Sequence, residues 1–182
     1  MTDPAGPAGA LARIVFRRPE EADHRRLVDR VDHWFGGRST RPLLGRFWLM
    51  HFASTSLVGE TLDPRSADPR SRRIVAFLVG FASPDRAGEA VIHLAAVAPE
   101  WRRRGFGTAM HDRWLAEMEE RGARRAIVVV PPDERVAVLF YRSLGFEPEI
   151  AGTRPLWGVP AFADYEGDGG DRAILTRPLG PP

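Results

Sequence analysis

Cysteine, lysine, asparagine and glutamine are all absent from this 182-residue chain. Without cysteine there is no disulfide framework, no cysteine metal site and no thiol nucleophile, which points to a cytoplasmic protein. Without lysine there is no Walker-type phosphate loop, which needs Gly-Lys-Ser/Thr. Long apolar runs are missing too: no stretch approaches the roughly 18 residues of a spanning helix. The opening MTDPAGPAGA lacks the basic and apolar regions of a signal peptide, so no membrane partner is expected. The five histidines show no ligand spacing, so no metal is expected.

Net charge is also small. The 26 basic residues, every one arginine, face 24 acids, for a formal net charge of +2. The basic isoelectric point follows because little titrates between His and Tyr. The arginines are spread out and no recognised motif frames them, so no nucleic-acid partner is expected. In a composition rich in Ala, Gly, Pro and Arg, a single arginine carries weight only inside a motif.

One such motif lies in the stretch Val91 to Met110, VIHLAAVAPEWRRRGFGTAM. An apolar run gives way to a basic, glycine-punctuated turn and then to helix formers, which predicts strand, anion-binding loop and helix. Unpaired amides and the helix dipole favour an anion there, and glycines let the backbone come close. The dinucleotide fingerprint G-x-G-x-x-G/A fails, because after Gly105 and Gly107 its third position falls on Met110. What remains is R-x-x-G-x-G, beginning at Arg102. A second strand, Ala126 to Val130, and a helix ending FYRSLGF at Phe140 to Phe146 follow.

These two motifs, at this separation, resemble the acyl-CoA-binding motifs of the GNAT superfamily of N-acetyltransferases. The resemblance implies an α/β fold with a mixed, mostly antiparallel twisted sheet of about six to seven strands and about four helices. A flexible segment, residues 1–10, would precede one domain over residues 11–179. The expected strands are Arg13 to Phe16, Ser56 to Glu60, Ile74 to Phe81, the run ending at Val97, Ala126 to Val130 and Arg172 to Arg177. A helix opens at Pro19-Glu20-Glu21, runs past Trp34 and Phe35 and stops at Gly36-Gly37. Others cover Leu43 to Ala53, Gly105 to Arg121, and a stretch capped by Asp133 and closed by Gly145. Met110, Trp114 and Met118 form a core stripe. Asp63 to Arg72 and Gly152 to Gly170 read as loops.

The resemblance also implies the chemistry: an N-acetyltransferase moving the acetyl group of acetyl-CoA directly to a primary amine of a small molecule or peptide. The alternatives are a longer acyl donor, or a module that binds acyl-CoA without turnover. The amides from Arg102 to Thr108, including those of Arg103, Arg104, Gly105 and Gly107, would cradle the pyrophosphate. Ala95, Val97 and Ala98, on a strand splayed from its neighbour, would hold the pantetheine arm. Tyr141 would protonate the leaving thiolate. His93 is the candidate base, placed by two-residue alternation on one face with Val91, Ala95 and Val97; Glu89 and Glu60 are fallback carboxylates. Trp34, Phe35, His51, Asp164 and Tyr165 are candidate contacts for the amine, since aromatics and carboxylates suit a cation. A homodimer is compatible with all of this.

Overall fold

A computed structural model describes residues 14–62, 68 and 71–180 of the chain. The proposed flexible segment 1–10, the start of the first strand at Arg13 and most of the loop from Asp63 to Arg72 lie outside the described residues. The strands are β1 (Val15–Arg17), β2 (Leu57–Leu62), β3 (Arg72–Ala82), β4 (Glu89–Val97), β5 (Arg125–Val130), β6 (Glu147–Pro148), β7 (Arg154–Leu156), β8 (Val159–Ala161) and β9 (Ala173–Pro178). The helices are α1 (Asp23–Val28), α2 (Val31–Trp34), α3 (Arg46–His51), α4 (Phe106–Glu120) and α5 (Arg135–Ser143).

Seven strands form one sheet in the order β1-β2-β3-β4-β5-β9-β6, and β7 and β8 form a separate hairpin. Only β4 and β5 pair in parallel; the other neighbours are antiparallel. The unbroken apolar run of β3, IVAFLVGF, fits a strand covered on both faces. One face carries Met110, Trp114 and Met118 of α4 with Tyr141 and Phe146, and the other carries Leu27, Val31, Trp34 and Leu49. Gly80 sets the closeness of the first layer: a Cβ there would sit 2.6 Å from the Trp114 ring. The indole N–H of Trp114 donates to the Thr55 carbonyl at 2.7 Å.

Four expectations of local structure change. The first helix is split between Val28 and Val31, where the Arg30 amide donates to the Leu27 carbonyl at 2.9 Å, a tighter turn than an α-helix makes. Asp133 does not cap α5, whose N-terminal cap is Glu134; the Asp133 carboxylate pairs with Arg38 instead. The supposed loop from Gly152 to Gly170 contains the β7–β8 hairpin. Finally, β4 does not alternate strictly. Val79 pairs with Leu94 and Gly80 with Ile92, so His93 is an extra residue in a β-bulge.

Candidate active site

β4 and β5 pair only from Glu89 opposite Arg125 to Ile92 opposite Val128. Beyond that both strands continue, β4 held by β3 as far as Val97 and β5 by β9 as far as Val130. The seam between them therefore opens while each edge stays anchored. The Ala98 N–H donates to the Val75 carbonyl at 2.8 Å on the β3 side. The Val97 carbonyl, at the other end of that trans peptide, points into the seam. Alternation along an extended strand turns the Val97 N–H and both polar groups of Ala95 the same way. Ala98, expected to serve the seam as well, has its amide committed to β3.

Beyond Val97 the chain makes a short 3-10 turn, Pro99–Trp101, and then reaches the loop that opens α4. Arg103 has φ 60 and Gly105 φ 77, two left-handed residues that turn successive amides toward one concavity. None of the amides from Arg103 to Thr108 finds a backbone acceptor among the described residues; the first bond of the helix is Ala109 N–H to the Gly105 carbonyl at 3.0 Å. The arginines divide their work. Arg104 lies 4.9 Å over the Trp101 ring. Arg102 folds back, its Nε donating to the Val97 carbonyl at 3.0 Å and its terminal nitrogen to the Trp34 carbonyl. It braces the end of β4 against α2, whereas the sequence suggested a phosphate contact.

At Gly107 the loop meets α5. A Cβ there would lie 3.4 Å from the Phe140 ring and 3.6 Å from a Val97 methyl, ordinary contact distances that show how closely cradle, strand and helix meet. The adjoining Tyr141 is 6% exposed. Its ring sits 5.5 Å from those of His111 and Phe146, and its hydroxyl bonds to none of the described residues. Burial raises its pKa well above the ordinary phenol value, which keeps the phenol protonated.

His111, a residue not suspected from sequence, is 2% exposed. Its Nδ1–H donates to the Gly107 carbonyl at 2.8 Å, which leaves Nε2 buried without a partner. Burial lowers its pKa to about 4, against the opposing effects of the Gly107 carbonyl and Asp112. Its only advance signal is a polar residue beside Met110 in an apolar stripe.

The bulge separates His93 from the seam. Ala95 and Val97 pack toward α4, whereas His93 stacks on Trp48 of α3 at 4.0 Å and donates from Nε2 to the Leu43 carbonyl at 2.9 Å. Burial holds its pKa below the ordinary histidine value. The fallback carboxylates are engaged as well. Glu60 meets Arg17 at 2.8 Å and Arg26 at 3.1 Å, and Glu89 meets Arg125 at 3.6 Å. Burial opposes ionisation of Glu60, but the two guanidiniums hold its pKa below the ordinary value.

The expected amine contacts scatter. Trp34 is a core residue, 3% exposed and stacked on Phe77 at 5.9 Å, and Phe35 packs beside the same cluster. His51 is exposed beside Phe47. Asp164 and Tyr165 belong to a turn tied to itself: Asp164 accepts from the Gly169 amide at 2.7 Å, and its own amide donates to Asp171 at 2.9 Å.

A cavity of about 430 Å³ instead gathers Arg38, Pro131, Pro132, Asp133, Trp157, Gly169, Asp171 and Arg172. It lies just past the end of β5, beside the open seam. Arg38 is neutralised by Glu134 at 2.7 Å and Asp133 at 3.3 Å, and Arg172 pairs with Glu166. Asp171 has no cationic side-chain partner among the described residues. Trp157 is 73% exposed, with φ 53 at the tip of the β7–β8 hairpin. A bulky residue in that conformation is costly, and the strain presents its indole to the cavity.

The family profile described as "Acetyltransferase (GNAT) family" matches residues 20–146. The chain belongs to this acetyltransferase family. Among curated GNAT relatives, L-2,4-diaminobutyric acid acetyltransferase of Nocardia farcinica is 24% identical over 118 residues, covering 64% of this chain and 56% of that protein. Mycothiol acetyltransferase of Thermobifida fusca is 34% identical over 68 residues, 37% of this chain and 20% of that protein. The matches thus span between a fifth and somewhat over half of these relatives' lengths. Among solved structures, Ard1 from Thermoplasma volcanium superposes with a TM-score of 0.68 at 21% identity, covering 92% of this chain and 99% of its own. Diaminobutyrate acetyltransferase EctA from Paenibacillus lautus, solved with its substrate and coenzyme A, gives 0.62 at 20% identity, covering 94% of this chain and 98% of its own. At such identities the superpositions establish the fold.

Proposed function

We propose that the protein transfers the acetyl group of acetyl-CoA directly to a primary amine of a small molecule or peptide. The observation that carries this reading is the continuity of free main-chain polar groups. They run from the polar groups of Ala95 and the Val97 N–H in the open seam to the unpaired amides of Arg103 through Thr108. A pantetheine arm needs hydrogen-bond partners of the first kind, and a pyrophosphate needs the second. Bound acetyl-CoA supplies the activated thioester. The Val97 N–H is the donor suited to its carbonyl oxygen, and Tyr141 is the acid suited to the departing sulfur.

Direct transfer follows from composition, because no cysteine exists to hold the acyl group. The amine would enter through the cavity past β5, where the Trp157 indole and the Asp171 carboxylate both favour a cation. The relatives act, by name, on mycothiol substrates, a diamino acid and a ribosomal-protein alanine. That breadth leaves the choice of amine to the cavity walls. His93, turned toward Trp48, is assigned to the wall of α3 and not to proton abstraction.

Thiol release from acetyl-CoA, followed across a panel of small-molecule and peptide amines, tests the proposal. Amine-dependent release is the expected result. Stabilisation by CoA with no release for any amine would overturn transfer in favour of a sensing module.

A further inference from the structure

On the opposite side of β4 from the seam, a second cavity of about 190 Å³ is lined, among the described residues, by Arg26, Arg30, Arg72, Arg73 and Ile74. Four arginines line it, and among the described residues no carboxylate does. The surrounding acids are already committed. Asp23 and Glu60 are shared between Arg17 and Arg26, and Glu100 pairs with Arg73. Arg30 and Arg72 have no side-chain partner among the described residues. Arg73 adds a second, independent observation: its Nε is buried and makes no hydrogen bond. A buried donor without an acceptor is costly, and an anion within reach of it would remove that cost.

We propose that this cavity is a binding site for a phosphate-type oxyanion, separate from the CoA cradle. Arginine presents a planar fork matched to such a group, and the volume suits a single phosphate better than an extended polyanion. Arg30 and Arg72 supply the attracting charge and the orphaned Arg73 Nε–H a fixed donor. The site stands in a position to affect the cradle, since Glu100, which Arg73 holds, lies in the turn that leads to Arg102. The proposal does not depend on acetyl transfer.

With CoA held at saturation to fill the cradle, inorganic phosphate is titrated into the full chain by calorimetry. One additional phosphate is expected to bind. The double substitution Arg30→Ser and Arg72→Ser should weaken it by about tenfold or more. The matched control Arg25→Ser with Arg124→Ser, which removes the same charge from other exposed positions, should leave it within about twofold. Absence of phosphate binding would overturn the proposal, as would equal weakening by the control pair, which would reduce it to diffuse attraction. Loss of CoA affinity in the Arg30 and Arg72 variant would also overturn it, by assigning these arginines to the donor site.

Discussion

From Arg103 to Thr108, every group placed to meet a ligand is a main-chain amide, and Val97 and Ala95 continue the pattern into the seam. Across the mouth of that seam, the cavity around Trp157 presents an indole, two carboxylates and two guanidiniums. The donor side is backbone held by fold: glycines, a left-handed turn and two anchored strand edges. The acceptor side is side chain held by ion pairs. A backbone site can be kept while almost every neighbouring side chain changes, whereas a side-chain site changes specificity with single substitutions. In the proposed function, this pairing would let one fold present a fixed donor to different amines.

The contrast can be broken at several points. Tyr141→Phe removes a hydroxyl with no protein partner, so thermal stability should hold while kcat falls by about 10²–10⁴-fold, the usual value of a positioned acid; unchanged kcat would assign Tyr141 to packing. His111 gives the next largest effect, on stability. Its folded pKa, about 4, is below the unfolded value of 6.5, so the unfolded chain binds the extra proton. Its contribution is complete above about pH 6.5 and is lost as the pH falls toward 4, to a total of about 3 kcal/mol. Denaturant melts across that window should show this loss of stability in wild type and its absence in His111→Leu.

Gly105→Val forces a branched side chain into φ 77 at a spot with open space around it. The KM for acetyl-CoA should rise by about tenfold with the amine KM unchanged, because only the turn of the cradle is disturbed. Trp157→Ala should do the reverse and more weakly, raising the amine KM by roughly three- to tenfold, as loss of one cation–π wall predicts. If both variants moved both KM values alike, the division between donor and acceptor sides would fail.

The donor side was legible in the sequence because its signals are residue types that backbone geometry demands. Gly105 has a positive φ, Gly107 lies against Phe140, and an apolar run precedes them. The acceptor side was not, and the reasons are physical. Trp157 and Gly158 form a two-residue hairpin turn, but tryptophan is not a residue that such turns favour, so the stretch read as loop. Trp34, beside two glycines, was a candidate contact for the amine, yet its ring is buried in the core. Arg102 sits in the right motif but spends its guanidinium on two carbonyls. The break between α1 and α2 leaves no proline or glycine to announce it.

Position 93 matters most as a count. Because β4 carries one residue more than β3 requires there, side chains before and after it follow different phases. The extra residue works as a frameshift in the strand: Ile92 and Ala95, three apart, both face α4. Straightening the bulge with every residue kept would shift the pairing by one and turn Val97 over, aiming its N–H at β3 and closing the open edge of the sheet. The donor edge therefore depends on where the strand absorbs its extra residue before it depends on the chemistry of any side chain.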